Sequence, residues 1–293
     1  MLEMKNVTKT FGNFTALDDL SMTVPRGTVY GLVGPNGAGK STAIRHLTGV
    51  YRPDSGTITM EGAPIYENPA LKERIASIPD EIFYYPSATL EEMRRFYRGI
   101  YPHFDDDLYN RLYEVFQLPR SSQIRRFSKG MQKQAAFHLS ICCRPDVLIL
   151  DEPVDGLDPV MRRQVWSLIL SDVAQRGTTV LISSHNLREL EDICDHVGIM
   201  DHGRMLLERS LADMQGSTVK LQLVGPVPES LNILHESSSG RLQTLIVRGS
   251  AQEVEQVVAA SGPAYFDVLP LSLEEIFIYE LGGVNYEVKN IIL

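Results

Sequence analysis

From Leu2 to about Val33 the chain alternates short β-like runs with turns. The stretch closes on Thr28-Val29-Tyr30-Gly31-Leu32-Val33, a buried strand feeding a glycine-rich loop and then a helix. Farther on, Asp146-Val147-Leu148-Ile149-Leu150 and Thr178-Thr179-Val180-Leu181-Ile182 are continuous apolar runs, as expected of parallel strands covered on both faces. Between them, from about Tyr85 to Cys143, the apolar spacing turns helical. Thr89 and Glu92 stand at capping-box spacing ahead of Met93, Phe96 and Tyr97. Asp158-Pro159 reads as an N-cap with proline in the first turn of a helix carrying Val165, Trp166, Leu168 and Ile169 on one side, with Trp166 in the core.

After about Gln215 the texture changes again. Gly225-Pro226-Val227-Pro228 and Ser237-Ser238-Ser239-Gly240 separate short strand candidates and one helix near Ala251 to Ala260. The expected fold is α/β: a core on a mixed or parallel sheet, with an antiparallel β subdomain, a helical insertion and a small C-terminal α+β appendage. The expected domains are 1–214, with the helical subdomain at about 85–143, and 215–293. No internal repeat is present, so the chain is not a tandem duplication of one domain.

Composition narrows the function. A formal net charge of -9 argues against a chain that grips a nucleic-acid backbone, because that binding rests on clustered Lys and Arg. Positive potential for a small anion must then be local. Cys142, Cys143 and Cys194 lack metal-site spacing and suggest a reducing compartment rather than a disulfide framework. No segment reaches the roughly 20 apolar residues that cross a bilayer, and the start lacks a signal-peptide pattern, so any membrane role is expected to pass through a partner.

The chemistry is concentrated at Gly34-Pro35-Asn36-Gly37-Ala38-Gly39-Lys40-Ser41, a match to G-x-x-x-x-G-K-[ST] placed between a strand and a helix. Glycines let backbone N–H groups converge on phosphates, and the helix N-terminus adds the positive end of its dipole. Lys40 adds a full charge, and Ser41 can ligate Mg²⁺. Thr42 continues the phosphate-binding turn. At the end of Leu148-Ile149-Leu150, Asp151 is the candidate Mg²⁺ ligand, and Glu152 can polarise a water for in-line attack on the γ-phosphorus.

In their order, these residues and those that follow resemble the ATP-binding cassette (ABC) family, over roughly the first two-thirds of the chain, which implies a P-loop ATPase core with a single nucleotide site. Phe11 matches the aromatic that stacks on adenine. Phe127-Ser128-Lys129-Gly130-Met131 stands where the family signature is usually Leu-Ser-Gly-Gly-Gln, which implies that Ser128 and Gly130 reach the γ-phosphate held by the opposite subunit. Asp155-Gly156-Leu157-Asp158 matches the D-loop, with Asp155 in place of the usual Ser, and Asp158 joins the nucleotide-binding set. Ser183-Ser184-His185 matches the switch histidine, so Lys40, Glu152 and His185 form the implied catalytic set. Ile78-Pro79-Asp80 ends in Asp80 where the family usually has Gln, which points to altered Mg²⁺ coordination by Ser41, Asp80 and Asp151.

The resemblance implies a head-to-tail dimer, homodimeric or with another ABC ATPase, that closes on ATP and reopens on hydrolysis. Its cofactors are ATP and Mg²⁺ and its partner is a transmembrane permease subunit. The implied location is cytoplasmic, peripheral at the inner face of the cell membrane. Similarity of the whole sequence, including Leu271-Ser272-Leu273-Glu274-Glu275-Ile276-Phe277, to bacterial drug- and peptide-type exporter subunits suggests export. The competing reading is a soluble single-cassette ATPase acting in macromolecular assembly or remodelling. A further alternative, a regulatory half that binds ATP without hydrolysing it, is opposed by Lys40, Asp151, Glu152 and His185.

Overall fold

The computed structural model describes residues 1–275. The chain divides into two compact units, one made of Met1–His185 with His196–Glu208, the other of Asn186–Asp195 with the chain from Arg209 onward. The boundary expected between residues 214 and 215 falls inside a short helix, Leu211–Ser217, that belongs to the second unit.

In the first unit, β1 (Leu2–Phe11) and β2 (Phe14–Val24) pair as an antiparallel hairpin, with β3 (Val29–Val33) following and leading into α1 (Lys40–Leu47). β4 (Ser55–Met60) and the two-residue β5 (Ala63–Pro64) complete a four-stranded sheet in the order β2-β1-β4-β5. After α2 (Pro69–Lys72) and β6 (Ile75–Ile78) the chain turns helical: α3 (Leu90–Ile100), α4 (Asp106–Phe116) and α5 (Lys129–Cys142). It returns through β7 (Val147–Asp151), α6 (Pro159–Arg176) and β8 (Thr179–Ser184), then β9 (His196–Asp201) and β10 (Arg204–Ser210). The second sheet has the order β10-β9-β3-β8-β7-β6, and β6, β7, β8, β3 and β9 run parallel.

Local sequence explains the element ends. Thr89 and Glu92 form a capping box, and Asp158 caps α6 by accepting from the N–H groups of Val160 and Met161 with Pro159 in the first turn. β3, β7 and β8 are buried at every position, which is why their sequences do not alternate. On β1 and β2, by contrast, Leu2, Met4, Leu20, Met22 and Val24 face inward against Ala43, Ile44 and Leu47 of α1 and against Tyr30, Leu32 and Ile149 of the parallel sheet. α1 is thus clamped between the two sheets. Trp166 is half-buried on α6 rather than in the core, where Val165 and Ile169 lie.

The second unit holds α7 (Arg188–Glu191), α8 (Leu211–Ser217), β11 (Thr218–Val224), β12 (Asn232–Ser239), β13 (Leu242–Arg248), α9 (Ala251–Ala260) and β14 (Tyr265–Pro270). Its antiparallel sheet, ordered β12-β13-β11-β14, buries Val219, Leu221, Leu245 and Val247 with Val254 and Val258 of α9. Ser272 and Glu275 exchange the hydrogen bonds of a capping box, while Ile276 and Phe277 lie outside the described residues. Among the described residues, no helix is long and apolar enough to cross a membrane.

Candidate functional site

Parallel pairing brings the C-terminal ends of β3, β7 and β8 to one edge of the sheet: Val33 stands opposite Ser184, and Asp151 opposite Ser183. Loops leaving that edge carry the chemistry, as expected for parallel α/β sheets. The loop after β3 turns into α1 through Gly39, whose φ is 103°, and no side chain caps the helix. The first-turn N–H groups are therefore left to a ligand. At Gly34 the need for glycine is steric, since a Cβ there would lie 2.3 Å from the Met200 carbonyl oxygen.

Lys40 is buried, with only 6% of its surface exposed. Its Nζ donates to the Gly34 carbonyl at 2.6 Å and stands 3.6 Å from Oε1 of Glu152. Asp151 is buried and accepts a hydrogen bond from the Ser183 hydroxyl. Glu152 continues the strand with φ 46°, a left-handed conformation costing a non-glycine residue about 1–3 kcal/mol. Both its backbone groups are engaged. The N–H reaches the Ser183 carbonyl and hydroxyl, each at 3.2 Å, and the carbonyl accepts from Lys133 Nζ at 2.6 Å. The Glu152 carboxylate meets His185 Nδ1 at 2.9 Å. Burial pushes the Glu152 carboxyl above its ordinary pKa, with Lys40 and His185 opposing the shift and Asp155 adding to it.

A cavity of about 250 Å³ lies over the loop, lined by Pro35 through Thr42, by Phe14 and Ala16, and by Asp80 and Glu152. It joins Asn36, Gly37, Ala38, Gly39, Lys40, Ser41 and Thr42 in one wall, as the spacing requires. Phe11 does not line it. That ring is partly exposed and packs edge-on against Tyr51, 5.5 Å away, whereas Phe14, its hairpin partner, takes the rim. Asp80 is 53% exposed and stands 3.7 Å from Lys133 Nζ. Ser128 caps α5 by accepting from the Met131 N–H, and Gly130 lies against the Gly156 carbonyl; neither borders this cavity.

An uncapped helix N-terminus, a buried ammonium and a glycine-shaped loop fit a polyphosphate, and the oxygen donors Ser41, Asp151 and Asp80 fit a hard divalent cation. The family model described as ABC transporter matches residues 17–155. The ABC transporter ATP-binding protein YtrB of Bacillus subtilis (strain 168) is 31% identical over 288 residues, spanning 97% of this chain and 99% of the relative. The chain belongs to the ABC ATPase family.

The Nod factor export ATP-binding protein I of Cupriavidus metallidurans is 30% identical, over 95% of this chain and 96% of its own. A solved ATP-binding subunit of an ABC transporter superposes with a TM-score of 0.68 at 31% identity, covering 73% of this chain and 92% of the other. The protein is thus an ATP-binding subunit of the ABC transporter type and an ATPase, with the P-loop core and mixed sheet expected of that family. Two cassette residues carried no functional assignment in the sequence. Ser183 holds both Asp151 and the Glu152 N–H, and Lys133 is a buried cation on α5. The continuous apolar run of β8 does not announce the role of Ser183. A lysine on a helix face reads as solvated until the fold shows what covers it.

Proposed function

We propose that this chain is the ATP-hydrolysing subunit of an exporter, driving transport through a separate transmembrane permease by ATP-dependent closure of a cassette dimer. The observation that carries the reading is the convergence of Lys40, Asp151, Glu152 and His185 beside the uncapped N-terminus of α1.

In this reading the amides from Gly37 to Thr42 and the Lys40 ammonium bind the β- and γ-phosphates. Lys40 itself lines the cavity, with its Nζ held on the Gly34 carbonyl. Ser41 and Asp151, with Asp80 from the loop after β6, would hold Mg²⁺, which would neutralise phosphate charge when bound. Glu152 takes the proton of the attacking water. Its raised pKa makes it a stronger base than a solvated carboxylate, and His185 orients it from the other side. His185, 49% exposed at its side chain, is placed to sense the γ-phosphate. Phe14, at the cavity rim, is the aromatic face offered to adenine in place of Phe11.

Ser128 and Gly130 open α5 outside the lining of their own phosphate cavity, which suits donation to a nucleotide held by the partner cassette. Asp158 caps α6 two residues after Gly156, whose carbonyl lies against Gly130, and orders the loop that would cross the dimer. The permease would dock on the helical insertion. There Phe83, 80% exposed, continues through Tyr85 and Phe96 as edge-on aromatic contacts along a groove of about 290 Å³ that also includes Ile100. So large an uncovered aromatic patch marks an interaction surface. Membrane contact then passes through the permease, with this chain peripheral at the cytoplasmic face. Export agrees with the name of the Nod factor export relative.

The test is recovery of partners from detergent-solubilised membranes using the Glu152→Gln chain with ATP and Mg²⁺. Stoichiometric capture of a multi-span protein is the expected result. Soluble partners alone would contradict the transporter reading and favour a remodelling ATPase.

A further inference from the structure

Lys133 is a buried cation outside every motif named above. It lies on α5, one turn beyond Gly130, and only 7% of its surface is exposed. Lysine is rarely buried without a purpose, because desolvating an ammonium is costly unless its donors are used. Here one hydrogen-bond acceptor and one counter-charge use it. The Glu152 carbonyl accepts at 2.6 Å, and the Asp80 carboxylate lies 3.7 Å away.

The first contact is the more telling, because Glu152 is the residue whose backbone is strained. A left-handed glutamate persists only when its surroundings over-determine it. The Glu152 N–H is fixed by β8 through Ser183, but among the described residues its carbonyl accepts from no donor other than Lys133. The second contact reaches Asp80, which borders the phosphate cavity and also a neighbouring cavity lined by Lys129, Gln132 and Asp155. One ammonium therefore joins the helix that starts at Ser128, the turn that carries Glu152 and the loop that carries Asp80.

We propose that Lys133 is a positioning residue for hydrolysis: it holds the Glu152 turn in its strained conformation and, through Asp80, links that turn to the loop after β6. This rests on Glu152 acting as the base. Displacement of the Asp80 loop or of α5 would change the hold of Lys133 on Glu152, so that hydrolysis follows the state of both elements. Lys133 does not line the phosphate cavity, so nucleotide affinity is left to Lys40 and the P-loop.

The experiment compares steady-state ATP turnover of the full chain with Lys133→Met, Lys133→Arg, Glu152→Gln and the Lys133→Met/Glu152→Gln double variant, alongside urea unfolding of each. Lys133→Met is expected to lower kcat at least tenfold while KM for ATP stays within twofold. Lys133→Arg, which keeps a cationic donor, should recover most of that loss. The double variant should be no slower than Glu152→Gln alone, because Lys133 acts through Glu152. Should Lys133→Met unfold, the arginine variant and its kcat against KM still decide. Unchanged kcat in Lys133→Met, a loss that multiplies with that of Glu152→Gln, or a rise in KM equal to the fall in kcat would each overturn the proposal. If Glu152→Gln itself turned over at the normal rate, the base assignment would fall and this proposal with it. If only Glu152→Gln were slow, the base would stand and Lys133 would not.

Discussion

Replacing Ser183 by alanine removes one hydroxyl from the centre of the site. The side chain is fully buried, donates to the Asp151 carboxylate and accepts from the Glu152 N–H at 3.2 Å. A hydrogen bond to a buried charged group contributes about 1.5–3 kcal/mol. The Glu152 N–H loses less, because the Ser183 carbonyl still accepts it at 3.2 Å. The expected destabilisation is therefore about 2–3 kcal/mol, almost all of it from Asp151. Trp166 is the single tryptophan and belongs to the first unit, so urea unfolding followed by its fluorescence reports on the unit concerned. The functional consequence is separable. Outer partners of metal-binding carboxylates are typically worth about 10–100-fold in metal affinity, so the Mg²⁺ concentration for half-maximal ATPase activity should rise by at least about tenfold. An unfolding free energy within about 0.5 kcal/mol of the parent, together with an unchanged Mg²⁺ requirement, would refute the placement of Ser183 as the anchor of Asp151.

Acid should weaken the helical region through His138, which is buried, stacked on Tyr109 and held near pKa 4 by desolvation. The unfolded chain binds that proton near its ordinary value of about 6.5, so stability is complete above that pH and falls as pH drops towards 4, by up to about 1.4 kcal/mol per unit. Urea midpoints that stay constant between about pH 7 and 5 would contradict this. Gly34→Ala and Gly37→Ala should differ in kind. The first drives a Cβ into the Met200 carbonyl and should cost about 1–3 kcal/mol with loss of ATP binding. The second meets no atom within 4 Å but places alanine at φ 85°, so about 1 kcal/mol and a smaller binding defect are expected in a thermal melt with nucleotide titration. Phe14→Ala should raise KM for ATP roughly threefold to tenfold, the worth of one aromatic contact. Phe11→Ala should act on stability through Tyr51; the reverse pattern would return the adenine contact to Phe11.

The parts of the site legible in the sequence are those whose chemistry is local. A strand, six loop residues and a helix dictate the phosphate cradle wherever they occur, and an apolar run ending in Asp151-Glu152 must deliver two acids to the same sheet edge. Long-range placement is not legible in this way. Phe11 and Phe14 flank a two-residue turn and pair directly, and only the packing of Phe11 on Tyr51 leaves Phe14 at the cavity. Lys133 looks like any helical lysine until β7 and the Asp80 loop cover it. The second unit recruits Asn186–Asp195 from within the cassette sequence, a segment with no compositional break to reveal it. Trp166 follows helical periodicity yet remains half-buried, because periodicity gives the facing side and not the depth of its cover.

The most direct test of the account is the mass of the Glu152→Gln chain in solution by light scattering, with and without ATP and Mg²⁺, together with its rate of phosphate release. Glu152 is the proposed base, and Ser128 and Gly130 the groups proposed to complete the partner's site. The predicted result is a chain that doubles in mass on adding ATP, retains the nucleotide and releases phosphate at least about a hundredfold more slowly than the parent. A variant that stays monomeric with ATP bound, or hydrolyses it at the parental rate, would contradict the account.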